Sequence, residues 1–142
     1  MLVNRAGLVL IGERAGPLPD AWQMPQGGID AGETPLEAAW RELVEEVGTG
    51  HAELLGESGY WYAYDLPPEL RPRHWDDRHR GQSQKWFALR FTGTDADIRL
   101  DTGEPEFRSW RWAPPDEVLR LIVPFKRPVY EAVFEEFRHL FA

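Results

Sequence analysis

Glu42, Glu45 and Glu46 are the residues whose types and spacing point most directly to chemistry. At i, i+3 and i+4 on a helix their carboxylates converge on one side. Like charges at that spacing destabilise a bare helix, so something must offset the repulsion. A hard divalent cation is the natural candidate. Carboxylate oxygens suit Mg²⁺ or Mn²⁺, which keep several waters and bridge to substrate phosphates. For an isolated Glu-x-x-Glu-Glu, a solvated acidic face is the plain alternative.

A helix must set this spacing, and the flanking residues specify one. Thr34 is a good N-cap, Pro35 suits the first helical position, and Glu37 completes a Thr-x-x-Glu capping box. Gly48 stops the helix. Leu36, Ala39, Trp40, Leu43 and Val47 follow one buried face. Residues 13–33 are rich in Gly, Pro, Asp and Glu and read as one long loop, a length that is usually functional. Strands are expected over residues 7–12, around residues 59–64, and over residues 85–91 and 107–112. Residues 67–82 read as a loop. A short helix begins at Pro114, and residues 127–141 read as an amphipathic terminal helix. Strands separated and followed by helices predict an α/β or α+β sandwich.

The chain has 142 residues, a length that fits one domain. Its formal net charge is −8, which argues against coating long nucleic acid. A grip on a single phosphorylated end stays open. There is no cysteine, which excludes disulfides, thiol catalysis and Cys-ligated zinc. No apolar run approaches the length of a membrane span, and the start lacks the apolar stretch of a secretory signal. The expectation is a soluble, cytoplasmic protein. His51, His74, His79 and His139 show no ligand spacing, and residues 74–80 read as a solvated loop.

Residues 27–48 carry a longer pattern: Gly27, five residues, Glu33, seven residues, then Arg41-Glu42-Leu43-Val44-Glu45-Glu46-Val47-Gly48. This resembles the box of the Nudix hydrolases, G-x5-E-x7-R-E-U-x-E-E-x-G-U, with U aliphatic. Thr49 stands at the last position and is similar in shape to Val. The resemblance implies a Nudix fold over residues 1–142, a mixed β-sheet sandwiched between α-helices. It implies that Glu42, Glu45 and Glu46 bind Mg²⁺ or Mn²⁺, with the Gly27 carbonyl as a further ligand. Glu33 and Arg41 would brace the loop against the helix. Glu42 is the first candidate for general base and Glu106 the second.

Further segments extend the resemblance from about residue 3 to residue 141. They are residues 22–29, 84–87, 105–112 and 125–130, in an order similar to the branch holding RNA pyrophosphohydrolases and diadenosine tetraphosphate hydrolases. The resemblance implies a 5′-phosphorylated RNA end or a dinucleoside polyphosphate as substrate, bound by a monomer or weak homo-oligomer. Gln26 leads directly into the box and would contact the substrate. Lys85 and Lys126 would meet phosphates, Phe125 and Arg14 would sandwich a base, and Tyr64 would line the same pocket. Packing of the terminal helix is the alternative for Phe125. Trp22, Trp86, Trp110 and Trp112 read as core or pocket wall. Two departures stand out. The segment between Arg14 and Trp22 is two residues longer than in typical bacterial members. Met1 falls within the family's first strand, so that strand is shortened and the family's early arginine has no counterpart. A Nudix-fold module that binds a nucleotide without cleaving it is a third reading, against which the intact glutamate set weighs.

Overall fold

The computed structural model describes residues 1–16, 20–74, 76, 80–101 and 105–141. Strands β1 (Leu2–Val3), β2 (Val9–Arg14), β3 (Trp22–Gln23), β4 (Ala52–Asp65), β5 (Gly81–Phe91) and β6 (Phe107–Ala113) form one mixed sheet. Helix α1 (Pro35–Val47) covers one face, while α2 (Pro115–Leu121) and α3 (Arg127–Glu136) cover the other. No helix is long and apolar enough to cross a membrane among the described residues.

The sheet forks where the site forms. β6 pairs antiparallel with β2 along its whole length. That leaves one β2 edge, which β1 and β3 share: β1 pairs at Val9, and β3 pairs at Gly12 and Glu13. β1 also runs parallel to β5 at Leu89 and Arg90, and joins the β2 side to the β5–β4 hairpin. Beyond β1 the two halves diverge. The chain leaving β3 enters that gap, where the Gln26 side chain accepts a 2.9 Å hydrogen bond from Gln84 of β5.

Two cores lie on either face. Val3, Ile11, Met24, Trp86, Tyr130 and Val133 are among those packing towards α3, and Leu2, Leu10, Leu43, Leu89 and Phe91 towards α1. Trp86 and Tyr130 meet edge to face at 5.6 Å. Trp110 and Trp112 pack on the α1 core and Trp22 on the other. All four act as core or wall residues, as expected.

α1 forms as its local signals dictate. Thr34 Oγ1 accepts from Glu37 N–H and the Glu37 carboxylate accepts from Thr34 N–H, both at 3.1 Å. Gly48 closes the helix at φ 80°, with its N–H donating to Val44 O at 2.9 Å. Its buried face differs from the expected stripe: Ala38, Leu43, Glu46 and Val47 are buried, and Leu36, Ala39 and Trp40 only partly so. Thr49 is buried with its hydroxyl accepting from His51 N–H, which satisfies the polar atom an aliphatic residue would lack.

Several expected elements change. The loop of residues 13–33 is interrupted by β3, because the β2 edge beyond β1 needs a partner. The strand expected around residues 59–64 extends back to Ala52, and β5 starts at Gly81, inside the stretch read as loop. The terminal helix stops at Glu136 and continues as a 3-10 turn over Arg138–Leu140, whose apolar side chains still reach the core. β4 bulges between Glu57 and Trp61. The buried Ser58 hydroxyl bonds Trp86 N–H and Tyr60 O, and Glu136 of α3 accepts from Gly59 N–H at 2.7 Å and from the Tyr62 hydroxyl. Residues 17–19, Trp75 and residues 77–79 lie outside the described residues, so part of the longer segment before Trp22 and much of residues 74–80 do too.

The end of α1 offers a direct test. A Cβ at Gly48 would lie 2.3 Å from the backbone oxygen of Arg99, in a left-handed conformation. Gly48→Ala is expected to cost about 2 kcal/mol, seen as a Tm lowered by roughly 5 °C in thermal unfolding. An unchanged Tm would show that the helix end relaxes freely.

Candidate active site

α1 presents Glu42, Glu45 and Glu46 to the loop that runs from β3 into the helix. Arg41 organises this junction. Its guanidinium donates to both Glu33 oxygens at 2.7 and 2.9 Å, to Gly28 O at 2.7 Å, to Glu42 at 2.8 Å and to Glu45 at 3.2 Å. The forked Arg41–Glu33 pair ties the loop to the helix. These bonds hold the Glu33 carboxyl below its ordinary range and raise Arg41 further. Glu33 also accepts from Asp30 N–H at 2.8 Å and closes the loop on itself.

Glu46 is the most unusual carboxylate. It is 3% exposed, and it accepts Gln26 N–H at 2.9 Å. Burial, with repulsion from Glu42, Glu106 and Glu45 added, pushes its pKa up to about 8. Glu42 is also raised, chiefly by burial, with Arg41 opposing the shift. Glu106 is exposed, yet its charge acts on both Glu42 and Glu46, so it belongs to the same field from across the cleft.

The donors fit a hard divalent cation. All are oxygens: four carboxylates share one field, and the Arg41 guanidinium reaches only Glu42 and Glu45 of them. Gly27 adds a cradle: a Cβ there would lie 1.9 Å from the Glu42 carboxyl carbon, so only glycine lets backbone and carboxylate approach this closely. No three acidic, His or Cys side chains already converge at ligand distance among the described residues. Glu42 and Glu45 instead lean on Arg41.

The wall beside Glu46 comes from distant segments. Lys126, 6% exposed at the turn before α3, donates to Gln23 Oε1 at 3.1 Å and sits 5.6 Å above the Tyr64 ring. Burial, then the Arg14 charge, brings its pKa down to about 8, against a pull upward from Glu46. Tyr64 donates to Gln82 at 2.8 Å and packs at 5.8 Å against Phe125. Arg14, exposed at the end of β2, acts electrically on both Tyr64 and Lys126. The structure therefore groups Arg14, Tyr64, Phe125 and Lys126, with Gln26 between this wall and the glutamates. Lys85 does not join them. It pairs with Glu57 at 3.6 Å and, by strand alternation, points to the α1 face of β5.

Sequence reading left Gln23 and Gln84 without roles. Gln23 orients Lys126 and Gln84 orients Gln26. Both stand in segments that carried the resemblance, and glutamines at strand positions facing a cleft are the signal that marks them.

Comparison with known proteins gives a consistent answer. RNA pyrophosphohydrolase of Rhodospirillum rubrum is 61% identical over 136 residues, which cover 96% of this chain and 82% of that protein. RNA pyrophosphohydrolase of Rickettsia bellii is 50% identical over 140 residues, covering 99% and 87%. Among solved structures, the E. coli dihydroneopterin triphosphate pyrophosphohydrolase superposes with TM-score 0.69 at 21% identity, covering 93% of this chain and 90% of that one. A C. elegans Ap4A hydrolase binary complex gives 0.68 at 17% identity, covering 97% and 94%, and these two likenesses speak to the fold alone. The NUDIX domain model matches residues 1–133. With the box at residues 27–48 built around one arginine and its glutamates, the chain belongs to the Nudix family.

Proposed function

We propose that this chain is a divalent-metal-dependent pyrophosphohydrolase that removes pyrophosphate from 5′-triphosphorylated RNA ends in the cytoplasm. The observation that carries the chemistry is the buried Glu46 carboxylate on Gln26 N–H, in the field of Glu42, Glu45 and Glu106 and acting on a buried lysine. The RNA end as substrate is supported by relatives at 49–61% identity that carry that name.

Glu42, Glu45 and Glu46, with the Gly27 carbonyl, are the groups that would hold Mg²⁺. When bound, the ion neutralises phosphate charge and lowers the pKa of a coordinated water. Lys126, aimed by Gln23, holds the phosphate chain from the opposite wall. Phe125 and Tyr64 offer ring faces to the first bases, and Arg14 supplies the opposing plate. Glu42 accepts the proton of the attacking water, its carboxyl raised above the ordinary range by burial. Glu106 is the second candidate for that task. The water oxygen bonds to phosphorus as the bridging P–O bond breaks, and the leaving pyrophosphate takes the electron pair. Arg41 keeps the loop and helix in register and takes no part in proton transfer.

Two outcomes follow. Glu46→Gln is expected to lower turnover of a triphosphorylated oligonucleotide by about 100-fold or more, with a Tm equal to or above wild type because a crowded buried charge is gone. Chelation should abolish wild-type turnover and Mg²⁺ restore it. Near-normal turnover in the variant sinks the ligand assignment. Phe125→Ala is expected to raise KM about tenfold for triphosphorylated RNA and less than about twofold for inorganic tripolyphosphate. Equal losses on both substrates would mean that Phe125 serves packing alone.

A further inference from the structure

Two arms of the site meet away from the glutamate helix. Arg14, at the end of β2, acts electrically on Tyr64 and Lys126. Glu106, just before β6, acts on Glu42 and Glu46. Backbone joins the two arms, because Ala15 N–H donates to Glu106 O at 2.8 Å. The last rungs of the β2–β6 ladder therefore set both arms at once.

That end of the ladder is irregular. Glu13 faces Ser109 and Arg14 faces Phe107, so Arg108 is an extra residue on β6. A bulge of this kind shifts the alternation of the residues beyond it, and beside an active site it re-aims side chains. Without it Phe107 would share the face of Ser109. Instead a Cβ built on Gly12, which points to the opposite face, would lie 2.4 Å from the Phe107 ring. The ring is 1% exposed and seats on the bare Gly12 backbone. Glu106, one residue earlier, shares the shift.

Glu13 closes the bulge. One carboxylate oxygen accepts from the Ser109 hydroxyl at 3.1 Å and lies 3.5 Å from Arg108 Nε. The other accepts from Asp20 N–H at 3.2 Å. Arg108 donates onward to Gly16 O at 3.3 Å, and Arg14 N–H donates to Ala21 O at 2.8 Å. Asp20 stands at φ 54°, a left-handed conformation that a residue other than glycine keeps only where its surroundings impose it. One carboxylate thus ties the bulge to Asp20 directly and to Gly16 through Arg108. Both its oxygens are engaged in this network, so Glu13 acts through its neighbours and not on substrate.

We propose that Glu13 is a positioning residue of the site, holding Arg14 and Glu106 in one fixed relation through the Arg108 bulge. The inference rests on the phosphoanhydride hydrolase reading above. Arg14 meets a base and Glu106 acts on the metal-binding glutamates, so a loosened bulge disturbs substrate seating and turnover together.

The test compares Glu13→Ala and Glu13→Gln with wild type on triphosphorylated RNA and on inorganic tripolyphosphate. Glu13→Ala is expected to raise KM for RNA about tenfold and to lower kcat about fivefold on both substrates, since small misplacements of binding groups are costly. KM for tripolyphosphate, which has no base to seat, is expected to change less than about twofold. Glu13→Gln keeps an acceptor for Asp20 N–H or Ser109 and is expected to stay within about threefold of wild type throughout. An unchanged KM for RNA in Glu13→Ala, an equal rise in KM on both substrates, or no rescue by Glu13→Gln overturns the proposal. A second readout needs no turnover. Amide hydrogen exchange of the metal-free protein should run about tenfold faster at Ala15 in Glu13→Ala, with the amides of α3 unchanged. Unaltered protection at Ala15 also overturns it. If wild type cleaves neither substrate, the hydrolase reading fails, while the exchange at Ala15 still judges the hold of Glu13 by itself.

Discussion

Everything at the site depends on how one guanidinium manages too many carboxylates. Glu33, Glu42 and Glu45 all lean on Arg41, and Gly28 O completes its donors' partners. A lysine carries the same charge and lacks the planar fork. The fork lets one side chain face the loop with one edge and the helix with another. Glu46 is excluded from this arrangement. It is buried behind the loop against Gln26 N–H and remains the charge that the protein alone leaves poorly compensated. The site is thus braced on its outer side and under-neutralised on its inner side, which is where phosphates and their cation are to be received.

The fork in the sheet provides the space. β2 and β5 part beyond their shared partner β1, and the loop after β3 lies in the gap. The Gln26–Gln84 bond spans that gap and aligns the loop with β5. β5 then serves two walls. Its even-numbered residues Gln82 and Trp86 look towards Tyr64 and α3, and its odd-numbered residues Lys85 and Phe87 look towards α1.

What could be read in the chain beforehand follows a physical division. α1 was legible because its signals are local: Thr34, Pro35, Glu37 and Gly48 act within a few residues of where they stand. The box was legible for the same reason. β3 was not, since two residues carry no pattern and Trp22–Gln23 becomes a strand only because β2 has an edge to offer. The bulge at Ser58 was hidden because its cause, Glu136, lies far along the chain. The terminal helix was overextended because the buried Phe137 and the partly buried Leu140 reach the core through a 3-10 turn much as another helical turn would take them. The grouping of Arg14, Tyr64, Phe125 and Lys126 came from family likeness, as no spacing within those segments implies it. Lys85 was placed with them, although its alternation with the core residue Trp86 already sets it on the other face.

β1 also bears on the order in which the molecule assembles. Leu2 pairs with Leu89 and Val3 with Arg90, long closures exceeded in the sheet by the β2–β6 ladder of Val9 with Ala113, and this parallel β1–β5 ladder joins its two halves. Such non-local contacts form late, since the loop-closure entropy comes before the reward. During synthesis α1 and its capping box can form early, but the fork that shapes the cleft waits for β5 to emerge from the ribosome. Until then Val9, Leu10 and Ile11 of β2, fully buried in the finished protein, lack much of their cover. The nascent chain is most exposed to aggregation in that interval, and a chaperone would find its binding segment there.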